Sequence, residues 1–165
     1  LLYLPGNAIG LGLITIVGQC VGAGETGQAK QYTRQLTGIN YAILIVLCTV
    51  MIVFGGPLVG IYRLSSEAPA ISRQMITAHS IAMVVWPLAF TIPYTLRASL
   101  DAKFTMAVSV FSMWVFRIAF SYIIAVRMGM GVLGVWIAMT IDWAVRAVLF
   151  IIRYRGKRWQ HKSIA

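Results

Sequence analysis

Asp142 and Arg146 stand one helical turn apart inside Gly131–Ile152, a stretch with no other charge, and Arg117 interrupts the apolar segment before it. Ionisable groups in hydrocarbon cost energy, so they pair with one another or face a protein interior or a water-filled path. Two chemistries are open to this trio. One is a structural clasp in which a carboxylate sits between two guanidinium groups. The other is an ion or substrate pathway in which binding breaks the pairing. Nearby cations favour the ionised carboxylate, which makes Asp142 a poor proton carrier near neutral pH and favours the clasp. No catalytic set accompanies the trio: GxSxG, HExxH, a phosphate loop and usefully spaced carboxylate pairs are all absent from the sequence. Cys20 and Cys48 lie in apolar runs without a CxxC pattern, so they read as small buried hydrophobes and no metal or cofactor is expected.

The elements that must hold these charges are membrane spans. The chain is 59% hydrophobic and 11% charged, with a mean hydropathy of +0.82, against roughly 25% charged residues in a soluble domain. A bilayer-spanning helix needs ~20 mainly apolar residues, and five such segments are expected: Leu4–Ala23, Gly38–Ile61, Met75–Leu96, Phe104–Val126 and Gly131–Ile152. The fold class is therefore an all-α integral membrane protein, with a bundle over residues 1–152 and a basic, partly disordered tail over 153–165. Polar connections are expected at Gly24–Thr37, Tyr62–Gln74, Arg97–Lys103 and Arg127–Met130. The chain opens inside an apolar run without an initiator Met and reads as part of a longer protein.

The formal charge of +10 does not point to nucleic acid, because the basic residues sit beside the spans and in the tail, as topology signals do. Lys30, Arg34, Arg97, Lys103, Arg153, Arg155, Lys157, Arg158 and Lys162 fall on one side, and only Arg63, Arg73 and Arg127 on the other. The positive-inside rule puts the first group and the C-terminus in the cytoplasm. The tail could also attract anionic headgroups of the lipid bilayer.

Depth along the helices tests the trio. Counting from Thr105, Arg117 lies ~18 Å above the cytoplasmic face, and counting back from Arg153, Asp142 lies ~16 Å above it. The short Arg127–Met130 connection makes the last two spans antiparallel neighbours, so an Arg117–Asp142 pair near the midplane is expected, with Arg146 on the same face as Asp142. In the third span, Pro87 and Pro93 crowd the carbonyls of Met83 and Ala89, giving either a static kink or a moving hinge. In the first span, Gly6 with Gly10 and Gly18 with Gly22 form two GxxxG pairs suited to close helix packing. Asn7, Gln19 and Trp86 are candidates to line a cavity, and His79 lies near the outer end of the third span.

Five motifs in order resemble the C-terminal half of a multidrug and toxic compound extrusion (MATE) transporter. Gly18-Gln19-Cys20-Val21-Gly22-Ala23-Gly24-Glu25 is similar to the family's inward loop. Arg97-Ala98-Ser99-Leu100-Asp101-Ala102 resembles a second inward segment, with Leu100 where the family commonly has Gly. Ser112-Met113-Trp114-Val115-Phe116-Arg117, Gly131-Val132-Leu133-Gly134-Val135-Trp136 and Asp142-Trp143-Ala144-Val145-Arg146-Ala147 fit the last two helices. The resemblance implies a twelve-helix transporter of two six-helix lobes, with these five helices in the C-terminal lobe and the N-terminal lobe missing from the chain. It further implies a multi-pass plasma-membrane antiporter, not an enzyme, that exports drugs or organic, cationic compounds in exchange for Na⁺ or H⁺. Some members carry an acidic cation site on helix ten, yet Gln74–Leu96 holds no Asp or Glu. Coupling then resides in the absent lobe or works differently. The alternatives are a lipid-linked oligosaccharide flippase of the same superfamily and a non-transporting membrane scaffold.

Overall fold

Pro5 opens the first helix, α1 (Leu4–Gly22), where the missing amide hydrogen would have had no intrahelical acceptor. The residues buried along α1 are Gly6, Gly10, Leu13, Val17 and Val21, a single stripe at helical spacing. In this computed structural model residues 2–61, 68–156 and 159 are described, excepting the side chains of 55–61 and 68–74. Arg63, Lys157, Arg158 and Lys162, counted above as topology signals, lie outside that description, as does the side chain of Arg73.

Gly24 ends α1. Its φ of +76 is a left-handed conformation that favours glycine. The Glu25 amide donates to the Cys20 carbonyl at 2.8 Å and the Gly24 amide to Val21 at 3.0 Å, the paired bonds of a Schellman stop. The next helix, α2 (Thr26–Ile61), then begins at once. It starts well ahead of the expected span at Gly38, so the polar stretch before Gly38 is helix rather than loop. The reason is a buried stripe that the polar composition hides: Ala29, Thr33, Asn40 and Leu44 are all buried at helical spacing.

The third apolar segment is broken in two. Helices α3 (Ala68–Ala82) and α4 (Trp86–Ala98) meet at 42° across the break. Pro87 sits in the first turn of α4 and its ring would crowd the Met83 carbonyl, which is where the helix gives way. Pro93 stays inside α4 without a second break. This kinked pair counts as one span beside the four unbroken ones: Leu4–Gly22, Thr26–Phe54, Ala102–Arg127 and Gly131–Arg155. The described residues are thus an all-α membrane bundle. Large apolar side chains such as Leu11, Val46, Val53, Trp114 and Ile152 point outward, each more than half exposed, as a lipid-facing surface requires.

Helix α5 (Ala102–Arg127) changes character along its length. It is α-helical to Ser112, then carries π-helical segments at Met113–Ala119 and Ile123–Arg127. A tight turn with positive φ at Gly129 and Gly131 leads into α6 (Gly131–Arg155). Helix α4 lies at the centre and touches α1, α2, α5 and α6. Its two layers of packing are an upper cluster around Trp86 and Trp143 and a lower one around Leu13, Leu96, Phe150 and Trp159. Trp159 is fully buried; its indole donates to the Tyr154 carbonyl at 2.7 Å and stacks on that ring. At least this residue of the tail is therefore an anchor.

Candidate functional site

Asp142 is fully buried between α5 and α6. Its Oδ1 accepts Arg146 Nε at 2.9 Å from one turn further along α6, and the Ser112 hydroxyl from α5. Arg117 does not join them. It is half-buried and makes no ion pair or hydrogen bond among the described residues. Ser112 takes the place the sequence reading gave to Arg117.

The register explains the correction. At the cytoplasmic end expected from charge, Asp101 and Arg153 form a bidentate pair, Nε to Oδ2 at 2.6 Å and Nη2 to Oδ1 at 3.1 Å. From Asp101 to Ser112 along α5, and from Arg153 back to Asp142 along α6, the chain advances eleven residues in each case. The two contacts are therefore rungs of one antiparallel register. Aligning Thr105 with Arg153 shifts that register by four residues, about 6 Å. Arg117 lies more than a turn beyond Ser112 and inside the first π segment, whose wider turns rotate side chains away from the α-helical progression.

Asp101 is 1% exposed, and Arg153 also lies over the Phe104 ring, 4.7 Å from its centroid. The backbone before Asp101 repeats the stop seen after α1. The Asp101 amide donates to Leu96 at 2.9 Å and the Leu100 amide to Arg97 at 3.1 Å. Here the left-handed position is held by Leu100, at φ 60. That is the position where the resembling family commonly has Gly. Arg97 is exposed and its guanidinium lies 5.7 Å from the Tyr94 ring.

A polar ladder ties α2 to α4. Thr33 and Thr95 hydroxyls meet at 3.0 Å, and Asn40 donates to Thr91 at 2.8 Å. Asn7 of α1 accepts a bond from the Tyr94 hydroxyl at 3.4 Å. Trp86 is buried, stacked on Phe90 and seated against Gly6. Pro87 is buried at the kink and Pro93 beside a small cavity. Gln19 and Gly22 are exposed and take no part in these contacts. The first GxxxG pair is used: a Cβ on Gly6 would meet Trp86 at 2.2 Å, and one on Gly10 would meet Tyr94 at 2.3 Å. A Cβ on Gly18 or Gly22 would meet nothing within 4 Å outside its own helix turn among the described residues.

His79 lies between two indoles, edge-on to Trp136 at 4.8 Å and to Trp143 at 5.9 Å. Among the described residues no group of acidic, His and Cys side chains could hold a metal ion. Ser112, Arg153 and Leu100 were missed as functional positions. An antiparallel count from Asp101 would have found the first two, since it brings both partners opposite a carboxylate.

A kinked central helix, a helical bundle with an apolar exterior and buried charge rungs define a multi-pass α-helical membrane protein. The chain belongs to the MatE family, whose model matches residues 1–123. Among curated relatives it is 28% identical to the uncharacterized transporter YisQ of Bacillus subtilis, over 99% of this chain and 36% of that protein. It is 24% identical to the probable multidrug resistance protein YoeA of Bacillus subtilis, over 98% of this chain and 35% of that protein. It is 20% identical to the probable multidrug resistance protein NorM of Thermotoga maritima, again over 98% and 35%. The chain thus spans about a third of the length of these relatives. No solved structure matches it.

Proposed function

We propose that this chain is five helices from the C-terminal lobe of a secondary active exporter that moves drugs or other organic, cationic compounds outward in exchange for Na⁺ or H⁺. The observation that carries the reading is membership of the MatE family together with relatives named as multidrug resistance proteins. The remaining helices, including an N-terminal lobe, complete the access path. The protein resides in the plasma membrane with its C-terminus cytoplasmic, a placement supported by the distribution of Lys and Arg.

In this reading the Ser112–Asp142–Arg146 rung and the Asp101–Arg153 rung are clasps that fix α5 to α6, and the coupling carboxylate lies outside this segment. Asp142 already spends Oδ1 on a guanidinium and a hydroxyl that hold α5 to α6. Pro87 and the break before it supply the place where α3 and α4 can change their angle as the lobes rock. Transport by the whole protein is tested by expressing it full-length in cells lacking their own exporters and following retention of a fluorescent organic cation. Faster efflux than in vector controls supports the reading; unchanged retention across a panel of cationic dyes counts against it.

A further inference from the structure

Beside Pro93, the packing of α4, α5 and α6 leaves a cavity of about 70 Å³, lined by Tyr94, Arg97, Ser109 and Arg146 together with Pro93 and Phe90. Its charge is one-sided. Arg146 is 8% exposed and spends Nε on Asp142, with no other hydrogen bond among the described residues. Arg97 makes no ion pair among the described residues. No carboxylate lines the cavity, and Asp101 is held by both Arg153 nitrogens. Two guanidinium groups thus border one small space: Arg146, buried and ion-paired to Asp142, and Arg97, exposed at the end of α4.

We infer that this cavity binds a small inorganic anion of halide size. The terminal nitrogens of Arg146 make no hydrogen bond among the described residues, and guanidinium is a fixed, permanently charged fork of donors. Ser109 adds a hydroxyl donor. Phe90 and Pro93 give the cavity an apolar wall, beside which a charge contact is stronger than in open water. The occupant is small: about 70 Å³, at ~10–15 Å³ of such space per water, admits a halide with a few waters. The anion would bridge Arg97 and Arg146 and brace α4 against α5 and α6.

The test uses the full-length protein in detergent, with sodium gluconate replaced by chloride or bromide at constant ionic strength and unfolding followed by intrinsic fluorescence. The unfolding temperature is expected to rise with halide in a saturable way. Arg146→Gln would leave Asp142 without its cation, so the cavity is probed instead by Arg97→Gln and Ser109→Ala. Both should weaken the apparent halide affinity by about fivefold or more, the scale of one lost hydrogen bond to a charge. Their unfolding temperatures in gluconate should stay close to the parent, and Lys103→Gln should leave the halide response intact. The inference fails if halides give no saturable shift, or if the shift is the same in Arg97→Gln and Ser109→Ala. It fails equally if short-chain anionic phospholipid, and not halide, produces the stabilisation.

Discussion

Leu100 is held at φ 60 with 68% of its surface exposed. A side chain there adds strain of ~1–2 kcal/mol and contributes little burial. Leu100→Gly should therefore stabilise the protein by about 1 kcal/mol despite the glycine's greater freedom when unfolded, seen as a higher unfolding temperature. A lower one would mean that the left-handed stop does not form. Ser112 and Arg117 make a second pair of opposites. Removing the Ser112 hydroxyl takes a hydrogen bond from a buried carboxylate, so Ser112→Ala should cost about 1–3 kcal/mol. Arg117→Gln should change stability far less, since that side chain has no ionic partner among the described residues. The reverse ranking would restore the Arg117–Asp142 pair. If the Asp142 rung is a clasp, Asp142→Asn should lower folded yield more than it alters ion dependence; normal folding with selectively lost transport would make it part of the pathway.

At the scale of elements, α6 comes closest to another helix's backbone where it passes α5 at Gly134. A Cβ on Gly134 would lie 2.8 Å from the Ala125 backbone, which cannot yield as a side-chain tip can. Gly134→Ala should thus destabilise by about 1–3 kcal/mol, while Gly18→Ala, with open space around it, should be neutral or gain up to ~1 kcal/mol of helix propensity. Thermal unfolding of the two variants decides, and equal effects would contradict the packing. The Asp101–Arg153 rung invites a double-mutant cycle. Arg153→Ala leaves a carboxylate buried to 1% exposure and should cost about 3 kcal/mol, much of it recovered in the double variant with Asp101→Ala. Simple additivity would show that the pair is not coupled.

The spans were legible because apolar length is a property of composition, and the break at Met83 followed from Pro87. The start of α2 was not: Lys30, Arg34 and Thr37 look like a loop, and only the buried spacing of Ala29, Thr33 and Asn40 marks a helix. The charge trio was half legible. Asp142 and Arg146 are local to one helix, so sequence spacing suffices. The partner from α5 depends on inter-helix register, which a four-residue error in the starting level and the π segments displaced from Arg117 to Ser112.

For the whole molecule, the bundle has charge rungs and a polar ladder inside it, an apolar exterior, and about a third of the length of the relatives it matches. The segment alone should not transport, because alternating access needs a second bundle to rock against; dye movement in vesicles containing only these residues would refute this. The most direct test of the central reading is accumulation by the full-length protein in proteoliposomes under imposed Na⁺ and pH gradients. The account predicts uptake of an organic cation that requires one of the two gradients and collapses when an ionophore dissipates it. Movement of labelled lipid-linked sugar with no cation transport under either gradient would contradict it and identify a flippase.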